Sequence, residues 1–109
     1  MTVSQLADSI SLNRVAVPDG SREIDGVYIG DLLSWVMGKA KENNAWITIM
    51  SNINVIAVAS LVDTSCIILA EGVTLEQSII DAANSKNVNI LSTDMTAYEV
   101  AAKLAAVLK

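Results

Sequence analysis

Residues 61–99 constrain the fold more tightly than any other part of the chain. Cys66-Ile67-Ile68-Leu69-Ala70 is an unbroken apolar run rich in β-branched residues and too short for a helix. That pattern is a strand buried on both faces, as in a parallel sheet. Glu71-Gly72 ends it, and Thr74 with Gln77 three residues on has capping-box spacing, which predicts a helix starting there. Leu75, Ile79, Ile80 and Ala83 recur at helical spacing, Lys86-Asn87 interrupts, and residues 88–91 read as a second strand. Ser92-Thr93-Asp94 breaks the chain again, and Thr96 with Glu99 repeats the capping box. Strand, helix, strand with a connection of this length makes a parallel unit with a right-handed crossover.

The preceding residues extend the alternation. Thr2 with Gln5 caps a short helix whose apolar face is Val3, Leu6, Ala7 and Ile10. Arg14-Val15-Ala16-Val17 reads as a strand, ended by the turn Pro18-Asp19-Gly20-Ser21. Residues 24–29 read as another, with Gly26 a bulge or bend; whether the two strands form a hairpin or lie apart is open. Gly30-Asp31 opens a helix with Asp31 as N-cap, and Leu32, Leu33, Val36, Met37 and Ala40 form its buried stripe. Gly38 inside it costs roughly 1 kcal/mol against Ala and implies a close neighbour. Residues 46–50 are the next strand.

Residues 53–62 carry β-branched side chains that favour a strand, but the alternation needs a crossover between strands 46–50 and 66–70, so a helix is expected. Being apolar nearly all round, that helix should be buried on more than one side. The last helix, 96–108, has Val100, Leu104, Val107 and Leu108 on one face and Ala97, Ala101, Ala102, Ala105 and Ala106 on another. Surplus apolar surface on both helices predicts a homodimer. The expected architecture is three-layer α/β: a mainly parallel sheet of about five strands with helices on both faces.

Composition narrows the function. The chain has 109 residues, enough for one domain, and is 52% hydrophobic with mean hydropathy +0.47. Its apolar stretches fall short of the ~20 residues of a membrane span, and Met1-Thr2-Val3-Ser4-Gln5 shows no signal-peptide pattern. Cys66 is the one cysteine, so a cytoplasmic location is expected. The net charge is −5, with no basic cluster, which argues against nucleic acid. No histidine is present, which removes His-based triads, His metal sites and the usual general base. Neither a catalytic residue, a metal nor a cofactor is expected. Asp63-Thr64-Ser65 looks like the phosphorylated triplet of STAS domains, but it leads into a strand rather than a helix. Trp35 and Trp46 read as core or interface anchors, and Lys39 and Lys41 as a solvated helix face.

From Trp46 onward the chain resembles a DRTGG domain: strand, turn, apolar helix, Cys66-Ile67-Ile68-Leu69-Ala70-Glu71-Gly72, helix, Val88-Asn89-Ile90-Leu91-Ser92-Thr93, then a threonine-capped helix. The resemblance implies one DRTGG-like domain over 1–109, a relative of the HPr kinase/phosphorylase N-terminal domain. Such domains also occur beside CBS domains in regulated pyrophosphatases and in the regulatory part of some phosphotransacetylases. It further implies a dimeric regulatory module without catalytic residues, sensing a nucleotide or small anionic metabolite. Gly30-Asp31-Leu32-Leu33-Ser34 looks like a small stand-alone branch of anaerobic bacteria, encoded near iron–sulfur and hydrogenase genes. The alternative function is therefore an accessory module docking on such a redox enzyme. Two features depart from the family. Ser51-Asn52-Ile53 stands where many relatives carry a Gly-Asp-Arg type turn, and Ala70-Glu71-Gly72 stands for Thr-Gly-Gly.

Parallel strands gather their carboxyl ends on one edge, where open α/β sheets bind ligands and helix N-termini offer N–H groups to anions. The candidate ligand residues there are Asp31, Ser51, Asn52, Asn54, Glu71, Gly72, Thr74, Thr93, Asp94 and Thr96. Capping alone also accounts for Asp31, Thr74 and Thr96, and a turn for Gly72. Glu71 and Asp94 have no such explanation.

Overall fold

The computed structural model describes residues 1–108. In chain order the elements are α1 (Val3–Ser9), β1 (Asn13–Ala16), β2 (Val27–Ile29), α2 (Leu33–Lys39), β3 (Ala45–Thr48), α3 (Asn54–Val62), β4 (Cys66–Leu69), α4 (Gln77–Ser85), β5 (Ile90–Ser92) and α5 (Ala97–Val107). The strands form one sheet in the order β1-β5-β4-β3-β2, with β1 antiparallel to β5 and every other pairing parallel. The expected mainly parallel, three-layer α/β architecture is what the chain adopts.

β3 and β4 lie at the centre and are buried at every position, as their unbroken apolar runs require. Their alternation divides the core in two. Ala45, Ile47, Cys66, Ile68 and Leu91 face α1 and α5, meeting Val3, Leu6, Val100 and Leu104. Trp46, Ile67, Leu69 and Ile90 face the other way, onto Val36 of α2, Val55, Ile56 and Ala59 of α3, and Ile79 and Ala83 of α4. Each fully buried isoleucine contributes roughly 1.5–3 kcal/mol relative to exposure. Since β2, β3, β4 and β5 are adjacent in chain order and α2, α3 and α4 share one face, the three crossovers have one hand. α5 alone of the helices that follow the parallel strands passes to the opposite face.

The open question at the N-terminal end is resolved: β1 and β2 form no hairpin but are opposite edges of the sheet. The connection between them crosses the amino ends of the central strands, held by a polar side chain from each. The buried Asn89 amide donates to the Asp19 and Ser65 carbonyls at 2.7 and 3.0 Å and accepts from the Asp19 N–H at 3.0 Å. Ser65 donates to the Glu23 carbonyl, and Asn44 to that of Asp25 at 2.7 Å. Arg22 bonds the Asn43 side chain and pairs with Asp63 at 2.8 Å. Gly26 sits against Asn44, whose amide nitrogen would lie 2.9 Å from an added Cβ, and its φ of +84° is one a side chain resists.

Several local expectations need correction. The strand expected over 24–29 is only Val27–Ile29, because residues 24–26 belong to that crossing segment. In α2 just Val36 is buried: Leu32 is 60% and Met37 47% exposed, and Gly38 has open space rather than a close neighbour. Helix α2 lies over an edge strand and therefore finds little sheet to cover. Helix α3 forms as expected but buries one face, leaving Ile53 51% and Leu61 73% exposed. Helix α4 starts at Gln77, so the capping box at Thr74 does not form, and its N-cap Glu76 makes no side-chain bond. The boxes at Thr2 and Thr96 do form. Trp46 is fully buried and Trp35 is 59% exposed, with the Lys39 ammonium 5.1 Å from its ring.

Candidate functional site

The carboxyl ends of the parallel strands bring the candidate residues to one rim but not to one place. β4 leads to α4 on one face of the sheet, whereas β5 leads to α5 on the other, so the chain parts between these neighbours. A parting of this kind is where open α/β sheets place ligands. The β4 and β5 loops are stitched together there: the Glu71 N–H donates to the Met95 carbonyl at 2.8 Å, and that of Gly72 to Thr93 at 2.9 Å. Glu71 and Gly72 both have positive φ, +63° and +71°. A left-handed glutamate is uncommon. Gly72 lies against Asp94, whose Oδ1 would be 3.0 Å from an added Cβ.

On the α3/α4 side a cleft of about 690 Å³ opens between the two helix starts. Ser51, Asn52 and Thr74 line it as expected, with Ile53 and Ile79 as the apolar part. Asn54 begins α3, its N–H bonded at 2.9 Å to the Asn52 side chain. The first turn of α3 is already satisfied, the Asn54, Val55 and Ile56 N–H groups donating to the Asn52 side chain and to the Asn52 and Ile53 carbonyls. In α4, whose N-cap Glu76 makes no side-chain bond, the Gln77 and Ser78 N–H groups meet no acceptor among the described residues and are left for solvent or a ligand. Glu76 and Ser78 also line the cleft and were not among the candidates. The Thr74–Gln77 spacing pointed to an earlier helix start and hid them; a start at Gln77 places both beside the rim.

On the opposite side Thr93 and Asp94 line a second cleft, of about 500 Å³, with Ser9, Ser11, Asn13 and Lys103. Thr93 is 7% exposed, its hydroxyl accepting from the Met95 N–H at 3.2 Å. Thr96 is the α5 cap: its hydroxyl accepts from the Glu99 N–H, while Glu99 accepts from its N–H. The Thr96 backbone N–H, donating to the Glu99 carboxylate, is the main cause that lowers that carboxyl's pKa from its ordinary value.

Asp31 does not cap α2, whose N-cap is Leu32. Its Oδ1 instead accepts from the Thr48 hydroxyl at 2.8 Å and the Ile49 N–H at 3.0 Å, bracing the end of β3. The candidates thus divide into Ser51, Asn52, Asn54 and Thr74 on one side, Thr93 and Asp94 on the other, and Glu71 and Gly72 at the seam. Among the described residues, no cluster of His, Cys, Asp and Glu is arranged to hold a metal ion, and no helix is long and apolar enough to cross a membrane. Cys66 is buried between the layers, which pushes its thiol up to about 12.

The fold and its rim thus define an α/β module with a mainly parallel sheet and a divided carboxyl-end cleft. The chain matches the DRTGG domain family over residues 14–107 and belongs to it. In structure it is similar to the CBS and DRTGG domains of the regulatory region of Clostridium perfringens pyrophosphatase, solved in complex with the activator diadenosine tetraphosphate. That likeness has a TM-score of 0.72 at 15% identity and covers 93% of this chain and 44% of the other. The chain therefore spans under half of that neighbour's length. No curated protein matches it in sequence.

Proposed function

We propose that residues 1–109 act as one non-catalytic, cytoplasmic regulatory module that binds a nucleotide or small anionic metabolite and works as a homodimer. The observation that carries this reading is family membership over most of the chain, together with a fold shared with a regulatory region that binds a nucleotide activator. The cleft between the starts of α3 and α4 is the proposed binding site. The open first turn of α4 and residues Ser51, Asn52, Thr74 and Ser78 border it, and the free N–H groups of such a turn suit phosphate or carboxylate. Among the described residues the cleft has no lysine or arginine, and Glu76 stands at its wall. A ligand with one or two negative charges and free hydroxyls fits that wall better than a polyphosphate. A second reading, docking on a redox enzyme, draws on the exposed apolar residues of α2 and α3, Leu32, Trp35, Met37, Ile53 and Leu61.

Native mass spectrometry with added AMP, followed by calorimetry on wild type and Asn52→Ala with Ser78→Ala, tests the proposal. The expected result is a dimer that binds the nucleotide, with affinity reduced about tenfold in the double variant, roughly 1.4 kcal/mol. A dimer that binds no nucleotide or small anion, yet associates through Trp35 or Leu61 with a redox enzyme, supports the second reading.

A further inference from the structure

One edge of the sheet is guarded and the other is open. Along β1, Arg14 pairs with Asp8 at 3.0 Å and donates to the Ser4 carbonyl, and a register shift falls between Arg14 and Ala16. Charges and bulges are the usual protection of an edge. β2, Val27-Tyr28-Ile29, has no charge, no proline and no register shift against β3. Its ladder uses the Gly26 carbonyl, which accepts from the Ala45 N–H at 3.0 Å, and the Gly30 N–H, which donates to the Ile47 carbonyl at 3.2 Å. Alternation along the strand turns the N–H and C=O groups of Val27 and Ile29 the other way, outward.

The side chains beside that edge are uncovered too. Val27 is 38% and Ile29 51% exposed, and with Ala101 and Ala105 of α5 and Leu108 just after it they line a groove of about 520 Å³. Among the described residues Asp25 is the one ionisable side chain in its lining, while Asp31, beyond the other end of the strand, is turned toward β3, where its Oδ1 holds the Thr48 hydroxyl and the Ile49 N–H. Asp25 is exposed and forms no ion pair among the described residues.

We propose that the β2 edge receives an extended segment of a partner protein as a sixth strand. Alternate apolar side chains of the segment enter the groove, and a Lys or Arg at its end lies against Asp25. Main-chain bonds supply affinity in this mode, and the alternate side chains and flanking charges supply selection. A second copy of this chain suits the edge less well, because its own β2 is flanked by Asp25 and Asp31 and brings no cation to Asp25. This surface is separate from the α3/α4 cleft and does not depend on what binds there.

The test uses the full chain and two fluorescein-labelled peptides, Lys-Val-Thr-Val-Thr-Val-Lys and the same core flanked by Glu, read by fluorescence anisotropy. The Lys-flanked peptide is expected to bind at least about tenfold tighter, and Asp25→Lys to reverse the preference. Ile29→Pro removes an outward N–H without touching the ladder to β3, and Ile29→Lys places a like charge in the groove should the proline variant misfold. Either is expected to weaken the Lys-flanked peptide about tenfold, and amide exchange at Val27 and Ile29 to slow in the wild-type complex. Equal affinity for the two peptides, no saturable binding, or undiminished binding by both Ile29 variants overturns the proposal. So does a dimer that either Ile29 variant dissociates, because a second copy then occupies the edge.

Discussion

Replacing Asp31 with serine separates two roles for one carboxylate. As the N-cap of α2, Asp31 would be matched by Ser, which caps as well as Asp, and stability would hardly change. In the structure it reaches across to β3, accepting from the Thr48 hydroxyl at 2.8 Å and the Ile49 N–H at 3.0 Å, a span that a serine hydroxyl is too short to cover. Thr48 is 2% exposed, so its proton is left without an acceptor. A buried donor so abandoned costs about 1–3 kcal/mol. The solvent around the exposed carboxylate discounts this, and a loss of about 1–2 kcal/mol is expected for Asp31→Ser. With a urea dependence of about 1–3 kcal/mol per molar, the unfolding midpoint falls by roughly 0.5–1 M. Asp31→Asn keeps an acceptor oxygen and should lose about half as much. Trp46 is a convenient reporter, being fully buried with its indole N–H 2.8 Å from the Gly30 carbonyl. A serine variant with an unchanged midpoint refutes the bracing role and restores the cap.

Asn89→Ala removes three hydrogen bonds at a 2% exposed site and should cost about 2–4 kcal/mol by chemical denaturation, whereas Trp35→Ala, at a 59% exposed position, should stay within about 0.5 kcal/mol of wild type. Ile68→Ala opens a cavity at a fully buried site facing α1 and α5, and a loss of about 2–5 kcal/mol is expected in the same assay. Burial holds the Cys66 thiol at about 12 against an ordinary 9.0. The folded chain therefore keeps a proton that the unfolded chain releases. That stability is complete below pH 9.0 and is lost as the pH rises toward about 12, at up to ~1.4 kcal/mol per unit. Cys66→Ala should flatten this alkaline decline in thermal melts, and native Cys66 should resist thiol reagents at neutral pH.

The apolar runs at 46–50 and 66–70, the turn at 18–21, and the Thr2 and Thr96 capping boxes were legible in the sequence because each depends on residues close in the chain. A five-residue apolar run has one comfortable place in an α/β protein, between two helical layers, and β4 occupies it. The helix at 54–62 was legible for a weaker reason, since the alternation needed a crossover more than propensity opposed one. The DRTGG resemblance followed from that order of elements, and the match over 14–107 bears it out.

What the local pattern could not supply was how far each element lies from the centre of the sheet. Leu32, Met37 and Trp35 look like a helix stripe, yet α2 packs over the edge strand β2, where little sheet remains to cover them. Asp31 and Thr74 both sit at cap spacing, but one was taken by Thr48 across the fold and the other precedes a helix that starts three residues later. Asn44, Ser65 and Asn89 carried no local signal at all; they matter because the β1–β2 connection passes beneath the sheet and needs hydrogen-bonding partners there. The division of the rim was likewise invisible, since it follows from α4 and α5 leaving adjacent strands toward opposite faces. Sequence alone determined the elements, because propensity, capping and apolar period act over a few residues. The tertiary structure decided strand order, edges and which rim groups share a cleft, because those depend on contacts between residues far apart in the chain.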